Sequence, residues 1–216
     1  RAWAAAGVKR RAPLRAVELE QRLQDNKAVV LCTGAATLSL LEALKLPIPA
    51  ALGFSWAGVW QCNGAQLAAE RIVMPLLGQR SARETSALNS QVICDPGLAP
   101  APGGGVLIGQ TSWFDCPIHA PPPTDEDAEQ LSKVRAQLAP QLRDGSSMEL
   151  QLHQQPVAYS RDQRPLLGPL PGCSNLVLFT GFGGPFALVP ALTPLMAEAL
   201  ETNDWSQIKN LDLLCR

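Results

Sequence analysis

Apolar and polar positions along this chain repeat with two periods, and the changes between them mark the predicted elements. From Leu14 to Asp25, Leu14, Val17 and Leu23 share one stripe with charges elsewhere, which predicts an amphipathic helix. Residues 28–32, ending in Leu31 and Cys32, are continuously apolar and predict a short strand buried on both faces. Thr33, Gly34 and Ala35 turn the chain, and Thr37 to Leu44 predicts a second helix, stopped by Pro47 and Pro49. This strand–glycine–helix order is a fragment of a nucleotide-binding fold. Residues 47–70 give no clean period around Gly53, Trp56, Gly58, Trp60 and Gly64. Ile72 to Gln79 predicts a strand bending at Pro75. Gln91–Cys94 and Gly105–Gln110 predict two more, with turns at Pro96 and from Pro100 to Gly105, so this stretch reads as a small antiparallel sheet.

Further on, Thr124 is the expected N-cap of a helix with Asp125, Glu126 and Asp127 in its first turn. Leu131, Val134 and Leu138 carry it to Pro140. Met148, Leu150 and Leu152 alternate with Glu149, Gln151 and His153, the pattern of a half-buried strand. Leu176 to Phe179 predicts an apolar strand leading into Gly181. Leu188, Leu192, Leu195, Met196 and Ala199 form a last helical stripe, in which Pro190 and Pro194 either kink the helix or mark its start.

Composition narrows the class. A length of 216 residues suffices for one good core or two small ones. Hydrophobic content of 46% with 17% charged describes a globular chain, not a disordered one. The net charge of −1 gives no electrostatic case for nucleic acid or anionic membrane, and the short basic run Lys9, Arg10, Arg11 with Arg15 reads as a solvated face. No apolar run reaches the ~20 residues that span a bilayer, and no signal-peptide pattern is present. Six scattered cysteines show neither a Cys-x-x-Cys nor a zinc spacing, so free thiols in a reducing, cytoplasmic compartment are expected. His119 and His153 lack any partner pattern and read as structural; no metal site is expected.

The chemistry-bearing pattern lies in the last quarter. Asp162, Arg164, Pro165 and Gly168 precede the apolar strand, and Gly181, Phe182, Gly183 and Gly184 join it to the final helix. Glycines at a strand-to-helix junction let backbone N–H groups approach an anionic ligand. By themselves they equally suit a tight turn without a ligand.

In this order of pieces the chain resembles the C-terminal part of the FAD-dependent oxidoreductases of the D-amino-acid oxidase and glycine oxidase type. Three stretches carry the likeness: Val29 to Ala35, Pro75 to Gln79, and Ala158 to Pro169 followed by Asn175 to Gly184. Asp125 to Pro140 resembles the family's acidic-start helix. The resemblance implies a mixed α/β fold: the C-terminal part of an FAD-binding Rossmann-like domain plus an antiparallel substrate domain. Residues 1–46 and 150–216 would form the FAD-binding portions, and residues 47–149 the antiparallel cap. It further implies FAD as cofactor and a small-molecule amine or amino acid as substrate, oxidised by hydride transfer to flavin N5. Thr33, Gly34, Gly181, Phe182, Gly183 and Gly184 are the implied cofactor contacts. Val157, Tyr159 and Arg161 are the implied substrate-side residues. Tyr159 suits packing as well as a substrate hydrogen bond, and Asp162 is read as orienting its loop, not as a general base.

The chain departs from the family pattern in three places. The Gly-x-Gly-x-x-Gly motif that holds the pyrophosphate is absent, so the chain, which begins on Arg1, reads as a C-terminal fragment lacking its N-terminal part. The alternative is a degenerate protein, a non-catalytic binding or regulatory domain on the same fold. Five positions before Asp162, where the family carries a carboxylate-binding Arg, stands Val157. A substrate that is not a simple amino acid, or a charge from Arg161 or Arg164, would account for it. The glycine segment is one residue short, with Phe186 near the usual place of a further Gly. A tRNA-modifying oxidase is a third reading, against which the missing basic face argues.

Overall fold

A computed structural model describes Gly7, residues 15–67, 72–73, 92–95, 97–114 and 116–121, Ala136, Pro140, and residues 142–143 and 150–215. The elements, in chain order, are α1 (Ala16–Gln24), β1 (Val29–Leu31), α2 (Ala36–Ala43), β2 (Leu52–Cys62), β3 (Gln66–Leu67), β4 (Val92–Cys94), β5 (Leu98–Pro100), β6 (Val106–Trp113), β7 (Leu142–Arg143), β8 (Leu150–Ser160), β9 (Leu166–Leu170), β10 (Cys173–Thr180), α3 (Pro185–Thr202) and α4 (Ser206–Asn210).

A mixed sheet has the order β1-β10-β9. Strands β1 and β10 run parallel, with Leu31 opposite Leu178, and β9 returns antiparallel, with Leu166 opposite Thr180. Helices cover both of its faces. Leu176 and Leu178 pack with Leu19 of α1 and Leu41 of α2, whereas Val177 packs with Leu192 and Met196 of α3 and Ile208 of α4. A strand covered on both sides needs apolar residues at every position, which Leu176, Val177 and Leu178 supply. Burying a leucine fully contributes about 1.5–3 kcal/mol. The doubly buried strand is therefore β10. Strand β1, expected to be buried on both faces, lies at the end of the described sheet and leaves Val30 at 38% exposure.

The second sheet is antiparallel, ordered β4-β6-β2-β8 with β5 paired to β6. Its spine is the pairing of β2 with β8, from Leu52 opposite Ser160 to Cys62 opposite Leu150. Hydrogen bonding thus assigns Leu150–Ser160 to the antiparallel sheet, although the sequence-based division at residue 150 groups it with the first domain. The chain enters the mixed sheet only at Leu166. A small separate pair, β3 with β7, packs Leu67 and Leu142 against Cys62, Leu98 and Ile108 of the antiparallel sheet. The two main sheets meet through a shared apolar cluster of Ala35, Leu38, Leu52, Ala158 and Leu166.

Local differences from the sequence pattern have simple causes. In α1 the buried residue is Leu19, joined by Leu23 one turn on, and Val17 is turned outward at 60% exposure. The stripe is thus Leu19 and Leu23, at the i, i+4 spacing of a short helix. Helix α3 starts at Pro185 and runs through both Pro190 and Pro194. Each proline removes one backbone donor near an exposed surface. One turn below Thr193, its hydroxyl donates to the Val189 carbonyl at 2.6 Å. Residues 47–70, unreadable by period, contain the eleven-residue strand β2. The expected features at Leu14, from Met74 to Gln79, at Gln91 and Pro96, from Thr124 to Leu138 apart from Ala136, and at Met148 lie outside the described residues.

The turn before β6 generates a test. Gly105 has φ +85°, and a Cβ there would fall 2.3 Å from the Cys62 carbonyl oxygen. Gly103 also has φ +85° but would meet nothing within 4 Å. Gly103→Ala is expected to lose about 1–2 kcal/mol from left-handed strain alone. Gly105→Ala is expected to lose several kcal/mol, because backbone cannot yield. Urea unfolding of the two variants measures the difference.

Candidate functional site

Because β1 and β10 are parallel neighbours, their carboxyl ends emerge side by side. Each then turns into a helix. Thr33 and Gly34 lead from β1 to α2, with Gly34 at φ +57°; Gly181 leads β10 toward α3, at φ +77°. In sheets of this kind ligands bind beyond the carboxyl ends of adjacent strands. The outer edge of β8 closes the third side.

These walls enclose a cleft of about 410 Å³. The end of β1 contributes Cys32, Gly34 and Ala35, and β8 contributes Pro156, Val157 and Ala158. Phe179, Thr180, Gly181 and Phe182 form the floor, with Pro185 and Val189 from α3. No carboxylate, amine or guanidinium lies among these residues. Cys32 is exposed, and the desolvation that remains at the cleft wall raises its thiol above the ordinary value, so this side chain is neutral at physiological pH. The floor is aromatic, with the Phe179 and Phe182 rings at 4.8 Å and an interplanar angle of 61°. Thr180 brings the one hydroxyl. It is 2% exposed, and its Oγ1 has no hydrogen-bond partner among the described residues.

At the rim stands the start of α3. Gly184 is its N-cap, with no side chain to satisfy the first-turn donors; its carbonyl accepts from Ala187 and Leu188 at 3.2 and 3.0 Å. Such a helix start carries about half a positive charge and favours an anionic group nearby. A Cβ placed on Gly34, Gly183 or Gly184 would meet nothing within 4 Å. The cleft and its rim can therefore take a flat, largely apolar ring system with one polar edge.

The structure brings Gly34, Val157, Gly181 and Phe182 together around this cleft, with Gly183 and Gly184 exposed next to it. Thr33 is exposed and shares a 2.9 Å hydroxyl contact with Thr37. Tyr159 does not line the cleft. It is 5% exposed, meets Phe114 edge-on at 6.1 Å, and crosses Gly53, whose added Cβ would lie 2.9 Å from the tyrosine ring. Arg161 is exposed on the following turn, where its N–H donates to the Ala51 carbonyl at 2.8 Å. Arg164 pairs with Asp212. Neither arginine lines the cleft beside Val157. Thr180 was not singled out from sequence. Its signal is a polar residue closing the otherwise apolar run from Leu176 to Phe179.

Asp162 organises the turn between β8 and β9. It accepts from the Ser160 hydroxyl at 2.6 Å and from the Arg164 N–H at 3.1 Å. Ser160 is buried, and its Cβ sits 3.4 Å from where a Cβ on Gly181 would be, so this turn supports the glycine segment. Ser160→Ala is expected to cost about 1–2 kcal/mol through loss of a charge-assisted hydrogen bond. Thermal unfolding of the variant beside the parent measures it.

Comparison with known proteins gives the family and the fold. The family model described as FAD dependent oxidoreductase matches residues 4–199. Among solved structures, glycine oxidase from Geobacillus kaustophilus superposes with a TM-score of 0.51 at 20% identity, over 82% of this chain and 42% of that one. An FAD dependent oxidoreductase from Pseudomonas aeruginosa gives a TM-score of 0.46 at 16% identity, over 86% and 46%. L-amino acid deaminase from Proteus vulgaris gives 0.40 at 14%, over 73% and 34%. This chain thus spans less than half the length of each of these structures. No curated protein matches. Among the described residues no helix is long and apolar enough to cross a membrane. With nearly its whole length matched and its mixed α/β fold shared, the chain belongs to the FAD-dependent oxidoreductase family.

Proposed function

We propose that this chain is the C-terminal part of a cytoplasmic FAD-dependent oxidoreductase that oxidises an amine or amino acid. The observation that carries the reading is the convergence of the Gly34 turn and the Gly181–Gly184 segment on one uncharged cleft. Bound FAD supplies a hydride acceptor at flavin N5 for a hydride leaving the C–H beside an amine nitrogen.

The chain's own residues bind, orient and shield. Gly34, Gly181, Gly183 and Gly184 leave room for backbone to approach the ring. The start of α3 would favour negative charge on a ring held beside it. Phe179, Phe182 and Val189 exclude water, which strengthens that interaction. Val157 and its neighbours on β8 face the same cleft and form the substrate side. In this reading residues 1–46 and the segment from β9 onward serve the cofactor, and the antiparallel sheet is the cap. The pyrophosphate would be held by a preceding N-terminal segment carrying the dinucleotide motif, so the 216 residues alone are expected to bind FAD weakly.

Val157 favours a second reading, a non-catalytic binding or regulatory domain, because valine cannot pair with a substrate carboxylate. One experiment separates the two: the absorbance spectrum of the protein expressed with its native upstream sequence. Flavin bands that bleach anaerobically with an amine or amino acid support the oxidoreductase. Absence of bands after reconstitution with excess FAD overturns it. In an active enzyme, Val157→Arg is expected to lower KM for a carboxylate-bearing amino acid about tenfold, while KM for the corresponding amine does not fall. Steady-state kinetics on the matched pair of substrates checks this.

A further inference from the structure

We propose that the Thr180 hydroxyl is a hydrogen-bond anchor for the polar edge of the bound flavin ring; the inference rests on the FAD-dependent reading above. Thr180 is the last residue of β10, 2% exposed, and its Oγ1 has no partner among the described residues. It lines the cleft between Phe179, Gly181 and Phe182.

Other hydroxyls in the chain show how such a group is ordinarily satisfied. Thr193 and Thr202, on α3, donate back one turn to the Val189 and Glu198 carbonyls. A strand offers no carbonyl in that position. Ser160 finds Asp162, Thr37 finds Thr33, and Thr111 lies 3.5 Å from the Cys94 sulfur. The remaining unpartnered buried polar atoms, on Ser55, Trp60 and Trp113, belong to residues that do not line the cleft. Among the described residues, Thr180 alone combines an unmet hydroxyl with a place in the cleft wall.

The chemistry of the pairing is specific. A buried hydroxyl without a partner is unfavourable, and valine would fill the same volume without that cost. A hydroxyl both donates and accepts, so it matches a ring edge on which carbonyl oxygens alternate with an N–H. The walls around it are apolar and offer no competing side-chain partner. The glycine that follows, Gly181, carries no side chain that would block such an edge.

The test uses the full-length protein carrying Thr180→Val, which keeps the shape, and Thr180→Ser, which keeps the hydroxyl. Three quantities are read: FAD dissociation constant by fluorescence titration, position of the flavin absorbance bands, and melting temperature of the apo-protein. Thr180→Val is expected to weaken FAD binding about tenfold and shift the bands, while the apo-protein melts at the same temperature or higher. Thr180→Ser is expected to keep FAD affinity within about twofold. Unchanged FAD affinity in the valine variant overturns the anchor and leaves the oxidoreductase reading standing. A lowered melting point or failure to fold in the valine apo-protein also overturns it, because the hydroxyl then has a structural partner. A parent protein that takes up no FAD overturns both readings together.

Discussion

The parallel pairing of β1 with β10 is the constraint on which the rest depends. Two strands far apart in sequence run side by side in the same direction, with Leu31 opposite Leu178. Parallel neighbours release their chains at the same end. The turn at Gly34 and the glycines from Gly181 onward are therefore brought to one place by backbone hydrogen bonding. An antiparallel pairing of these strands would put the two turns at opposite ends of the sheet. The apolar run Leu176 to Leu178 holds the pairing because α1 and α2 cover one face and α3 and α4 the other.

The second sheet matters through its edge. Strand β8 is paired to β2 along its length, and its other side borders the cleft with Pro156, Val157 and Ala158. A compact cluster of Ala35, Leu38, Leu52, Ala158 and Leu166 locks that edge to the start of α2 and to β9. Small side chains at Ala35 and Ala158 set how closely the two sheets approach. The result is a cleft whose described walls carry no charge. Water exclusion and fixed backbone dipoles are what such a site offers a ligand, and both act most strongly where the local dielectric is low.

Much of this architecture was legible where a single local force dominates. Helix α2, strands β4 and β6, and the alternation of β8 followed from period and turn residues; β10 followed from its continuous apolar run, which is covered on both faces. Strand β2 was not legible. It is an inner strand of its sheet, beside β6, and Trp56 and Ser55 are buried on opposite faces. With both faces covered, the alternation that announces a strand disappears. The stripe of α1 was misplaced for a related reason: Val17 and Leu19 are equally apolar, and only packing on Leu31 and Leu41 selects Leu19. Glycine positions in the candidate site were legible from their place between strand and helix. The role of Tyr159 was left open between packing and contact, and its ring lies against Phe114 and Gly53.

By itself the sequence determined local features of the site: the turns at Gly34 and Gly181, a helical stripe after them whose start it left open, and valine in place of arginine at Val157. These are properties of a few neighbouring residues, governed by backbone sterics and hydrophobic period. Only the tertiary structure decided which turns share a cleft, that Arg161 and Arg164 do not line it, and that Thr180, a residue of its wall, has a buried hydroxyl with no partner among the described residues. Partnership is a property of distance between residues remote in the chain, and no local pattern encodes it. A threonine at the end of an apolar strand has the same sequence whether its hydroxyl is satisfied or waiting for a ligand.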